Sequence, residues 1–94
     1  MYTVVRSYSG PGAKELFDLL EERKGEVESL IRGVSGAVGY NLVRTTDGGV
    51  SVTVCENKAS ADETVKIAAE WIKTNSSTGA GPPRISEGES IVHF

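Results

Sequence analysis

One cysteine, one histidine, one tryptophan and three prolines are all that the 94 residues hold of those four types, and each scarcity excludes something. Cys55 alone cannot close an intramolecular disulfide or build a metal site, so neither is expected, and a lone thiol suits a reducing compartment. Nowhere does an apolar run approach the roughly 18 residues of a membrane span. Met1-Tyr2-Thr3-Val4-Val5-Arg6 lacks the basic start and apolar stretch of a secretory leader, so a cytoplasmic protein with no membrane partner is expected. Positive charge is short too: 10 Lys and Arg stand against 13 Asp and Glu, giving −3 with no basic run, which argues against nucleic acid. Ser9-Gly10-Pro11-Gly12-Ala13-Lys14 follows a strand, yet it lacks the third glycine of a dinucleotide loop and the Gly-Lys-Ser/Thr of a phosphate loop. No cofactor is therefore expected. Asn75-Ser76-Ser77 matches a glycosylation acceptor, but without a leader it reads as a loop.

What is present is an ordinary globular mixture, 38 % apolar and 24 % charged, in a length that fits one domain spanning residues 1–94. Tyr2 to Tyr8 is β-branched and aromatic and reads as a strand ending at Ser9-Gly10-Pro11-Gly12. Leu16, Phe17, Leu20, Val27, Leu30 and Ile31 form a helical stripe from Ala13 to Arg32, with Gly25 a weak point near which the helix bends. Ala37 to Thr46 alternates as a strand, Asp47-Gly48-Gly49 offers a hairpin turn with positive φ, and Val50 to Glu56 alternates strictly. Ser60-Ala61-Asp62-Glu63 has capping-box spacing, opening a helix with Trp71 on its apolar stripe. Residues 76–83 are rich in Gly, Ser and Pro and read as a mobile loop gating access. A last strand, Arg84 to Phe94, is strongest at Ser90–Phe94 and interrupted at Gly88.

The resulting order, β-α-β-β-α-β, predicts an α+β ferredoxin-like fold: a four-stranded antiparallel sheet with two helices on one face. Its uncovered face predicts a homodimer. The long first helix, Gly33-Val34-Ser35-Gly36 leading into the strand around Tyr40, and Val50 to Lys58 running into an Ala-rich helix together resemble the dimeric α+β barrel proteins of the antibiotic biosynthesis monooxygenase type. The resemblance covers nearly the whole chain. It implies a barrel dimer from a superfamily that includes cofactor-independent oxygenases, haem-degrading enzymes and isomerases. Oxygenase members tend to carry Asn and Trp where this chain has Ser51 and Cys55, and haem-degrading members need a histidine on the second helix, where this chain has none.

If the valines at 50, 52 and 54 face the helices, Ser51, Thr53 and Cys55 face the barrel interior, joined by Asn41, and line a polar pocket or merely fill a subunit interface. Arg6 and Tyr8 share a face of the first strand; the guanidinium suits a ligand carboxylate or phenolate, or else an edge salt bridge. Cys55 is a nucleophile only with a base beside it, and otherwise a buried filler. His93 is a general base if the last strand crosses to the partner, and otherwise a solvated terminal residue. Three functions stay open: small-molecule binding without assigned chemistry, a monooxygenase-like enzyme acting on an aromatic or enolisable substrate, and a structural dimerisation module.

Overall fold

A computed structural model describes residues 1–77 and 79–94. Strand β1 (Tyr2–Ser9) leads through a glycine-rich turn into helix α1 (Ala13–Glu22), which is followed by α2 (Lys24–Arg32). The single helix expected over 13–32 is thus two. The interruption falls at Arg23 (φ −111°, ψ 30°) and not at Gly25. Arg23 is held there by contacts across the fold: its guanidinium lies 5.1 Å from the Trp71 ring and donates to the Asn75 side chain. Strands β2 (Ala37–Thr45) and β3 (Gly48–Cys55) form the expected hairpin, helix α3 (Lys58–Asn75) follows, and β4 (Arg84–Glu89) ends the sheet. The strand order is β2-β3-β1-β4, antiparallel throughout. This is the ferredoxin-like arrangement predicted above.

Local details differ from expectation, each for a physical reason. The hairpin turns at Thr46-Asp47, and Gly48 and Gly49 belong to β3. Their value is lack of bulk: a Cβ on Gly48 would strike the Tyr8 carbonyl, and one on Gly49 would strike the Phe17 ring. Helix α3 begins two residues before Ser60, because Asn57 is the cap, its side-chain oxygen accepting from the Ser60 amide at 2.9 Å. The last strand runs over 84–89, while 90–94, expected to be its strongest part, lies outside it. The cause is β1 itself: Tyr2 pairs with Glu89, and the last backbone bond joins the Ser90 amide to Met1. The expected mobile loop at 76–83 includes Thr78, which lies outside the described residues.

The facing of the sheet is opposite to expectation. Tyr2, Val4, Arg6 and Tyr8 of β1 and Ser51, Thr53 and Cys55 of β3 are buried beneath the helices, whereas Val50, Val52 and Val54 are half-buried on the open face. Alternation decides which residues share a face but not which face is covered. Bulk decides it here. Leu16, Phe17, Leu20, Val27 and Trp71 fill the layer with their own side chains, so the strand beneath them must offer small ones. Tyr8 and Phe17 meet edge to face, ring centroids 5.8 Å apart. Among the described residues no helix is long and apolar enough to cross a membrane.

Candidate functional site

Arg6 sits in the centre of the sheet, opposite Ser51 across the β1–β3 ladder, and is only 4 % exposed. Its Nε donates to Ser51 Oγ at 3.0 Å. Every ion pair among the described residues lies elsewhere, on side chains at least one-third exposed, so no carboxylate neutralises this guanidinium. Arginine stays protonated in proteins, and taking a charge out of water costs several kcal/mol unless partners replace the hydration. A buried guanidinium with no carboxylate beside it therefore calls for an explanation beyond packing.

Two tyrosines flank it. Burial pushes the Tyr8 phenol above its ordinary value, and the nearby Arg6 charge only partly offsets this. Tyr40, on β2, is likewise raised chiefly by burial, with Arg6 and a hydrogen bond to it acting the other way. Both phenols stay protonated at neutral pH and present O–H donors beside the cation. Above them lies a cavity of about 20 Å³, walled by Tyr40, Leu20, Ser51 and Trp71. It has room for about one water. A larger groove of about 280 Å³ opens between α3 and residues 80–85, and Arg6, Tyr8 and Ile72 line both spaces. A wider hollow of about 360 Å³ between α2 and β2 is rimmed by Lys24, Glu28 and Arg32, the last two paired with each other in solvent, and shares Tyr40 with the small cavity.

Trp71 closes the cavity from α3, and its indole Nε1 donates to Glu26 at 2.7 Å. That bond, followed by those from Arg23, holds the Glu26 carboxyl below its ordinary 4.5. A depressed folded-state value means that the contribution is complete above pH 4.5 and is lost as pH falls through the lower folded value. The expected result is a step in Trp71 fluorescence below pH 4.5 that is absent from Glu26→Gln. A step at or above 4.5, or one retained in the variant, contradicts it.

Of the residues proposed from sequence, Arg6, Tyr8 and Ser51 come together. Thr53 and Cys55 lie on the same covered face but under α3, where Cys55 packs with Ala61. Burial raises its thiol, a hydrogen bond with Thr64 opposing, so Cys55 is the filler and not a nucleophile. Asn41 does not join them: it pairs with Val52 and lies exposed on the open face. His93 lies exposed beyond β4. The groove along Val65, Ala69, Ile72, Pro82 and Pro83 had no signal in the sequence, because it arises from how α3 and the following loop lie against β4.

No protein-family model matches the sequence, and no curated protein matches it either. Solved structures do share the fold. One is a monooxygenase of Streptomyces coelicolor, from the gene ActVA-Orf6, in complex with nanaomycin D: TM-score 0.68, 23 % identity, over 99 % of this chain and 88 % of that one. The haem-degrader MhuD of Mycobacterium tuberculosis, with two haems in its active site, gives 0.71 and 15 %, over 100 % and 99 %. A putative antibiotic biosynthesis monooxygenase from Nitrosomonas europaea gives 0.68 and 18 %, over 98 % and 100 %. A histidine-ligated haem does not fit the residues here: α3 carries no histidine, and His93 does not line the cavity, whose volume of about 20 Å³ is far below that of a porphyrin. At identities of 15–23 % these likenesses carry the architecture and no activity, and the architecture is the ferredoxin-like one that this chain shares with those monooxygenase and haem-degrader structures.

Proposed function

We propose that this protein binds a small organic molecule between its sheet and its helices, without established chemistry of its own. The observation that carries the reading is Arg6: a 96 % buried cation without a carboxylate, lining two neighbouring spaces. Neighbours of this fold holding nanaomycin D or haem support an organic ligand. A packed structural module has no use for such a cation. Neither carboxylate nor imidazole lines the two spaces; their proton-transferring groups are Tyr8, Tyr40 and Lys73, to which no catalytic role is assigned.

The working unit is a homodimer formed through the open face, where Val5, Val50, Val52 and Val54 stand half-buried beside Val43, 47 % exposed. Such a surface is covered most simply by a second copy. The free, buried Cys55 thiol suits the cytoplasm.

The test has two arms. Native mass spectrometry and thermal-shift screening of acids, phenols and neutral analogues are expected to find ligands whose effect is lost on Ala69→Trp, which fills the groove. A panel that shifts nothing sinks the binding reading. Sedimentation is expected to give a dimer for the parent and a monomer for Val52→Lys, and a monomeric parent ends the dimer proposal.

A further inference from the structure

We propose, resting on the reading of this cavity as a ligand site, that its ligand is a small apolar monocarboxylate, bound with its carboxylate on Arg6 and its body along the α3 groove. Three observations converge on that class. The first is charge. The residues lining the groove include one buried cation, Arg6, and no acidic side chain, while Lys73 stands exposed at the rim. One desolvated positive charge is balanced by one negative charge; a dianionic phosphate leaves an excess that nothing buried offsets.

The second is donor geometry. Ser51 engages Nε and Tyr40 shares a hydrogen bond with the guanidinium, which take up two of its five N–H donors; the planar fork keeps further N–H groups suited to a carboxylate. The Tyr8 hydroxyl, a neutral donor at neutral pH, lines the same groove as Arg6, and Tyr40 lines the small cavity beside it. No protein carboxylate has to be displaced first, so the cation is preorganised for an incoming anion. The third is the wall. Leu16, Val65, Ala69, Ile72, Pro82 and Ile85 form an apolar groove of about 280 Å³. That volume is just under the ~300–1,000 Å³ usual for ligand pockets, which limits the body to a single ring or a short chain. Charged end inward and apolar body toward the mouth is the orientation these residues impose.

The experiment compares octanoate and 3-phenylpropionate with their amides by isothermal titration calorimetry, against the parent, Arg6→Gln and Ala69→Trp. The acids are expected to bind the parent at least about tenfold more tightly than the amides, since hydrogen bonds to a charged partner contribute ~1.5–3 kcal/mol. In Arg6→Gln that preference disappears while amide binding persists, and in Ala69→Trp both are lost. Amides binding the parent as well as acids overturns the carboxylate proposal and leaves the cavity a ligand site. The same holds if Arg6→Gln keeps the preference. Acid binding that survives Ala69→Trp places it outside the groove and also overturns the proposal. Failure of acids and amides alike to bind the parent overturns both this proposal and the reading beneath it. The acid-to-amide comparison on the parent needs no variant to fold.

Discussion

Replacing Arg6 by Met and Ser51 by Ala together is expected to raise the melting temperature by about 4–8 °C while abolishing the preference for acids over amides. The parent holds a guanidinium 96 % buried with no carboxylate beside it. Methionine retains most of the volume and carries no charge, and exchanging buried ionic groups for apolar ones of similar size is often neutral or stabilising by ~1–4 kcal/mol. A gain of about 1 kcal/mol shifts a domain of this size by about 4–8 °C. Ser51 must change as well. It is 1 % exposed, and Arg6→Met alone leaves its hydroxyl without the partner it has now, at a cost of ~1–3 kcal/mol. Differential scanning calorimetry decides the matter: an increase marks Arg6 as a group retained for binding, whereas an equal decrease marks it as a structural strut. Gains of stability on removal of a site residue are the usual signature of function held at the expense of the fold.

The second large effect runs in the opposite direction. Gly49→Ala is expected to lower the melting temperature by at least about 10 °C, because the new methyl overlaps three atoms of the Phe17 ring. That ring has nowhere to go: Phe17 is 3 % exposed and braced by Tyr8. Overpacking of this kind costs ~1–3 kcal/mol and sometimes more. Adding Phe17→Leu, which vacates the overlapped space, is expected to restore part of the loss. Gly25→Ala is the contrast, since nothing lies within 4 Å of its Cβ position and alanine favours a helix by roughly 0.5–1 kcal/mol. Chemical denaturation of the three variants checks the set, and a Gly49→Ala protein as stable as the parent refutes the packing described here.

Strand and helix order were legible in the sequence because both periodicities are local, and the strict alternation of 50–55 even identified which residues travel together. The side they travel to was not. Valine is the more apolar member of each pair, so hydrophobicity alone sends it under the helices, and the structure does the reverse because the aromatic bulk of α1 and α3 leaves room only for Ser51, Thr53 and Cys55. The register of the hairpin, and not the reversal, splits the candidate site. Arg6, Tyr8 and Ser51 stay together since ladder partners share a face, while Asn41 goes to the other side with Val52. His93 lies beyond the strand that was expected to carry it, because β1 supplies partners only as far as Glu89. End caps and turns were misplaced by two or three residues, as when Asn57 takes the role expected of Ser60.

The sheet order also dictates when in folding the cation leaves water. β2 and β3 are joined by a two-residue turn and can zip outward from it, on a time scale of about 1–10 μs for hairpins. β1 has no such neighbour: Arg6 and Ser51 stand 45 positions apart in the chain, and β4 reaches β1 across still more. Closing loops of that length precedes any gain from the contacts they bring. Dehydration of the guanidinium thus waits for a long-range step, the seating of the central strand between β3 and β4, and not for the local zipping of the hairpin.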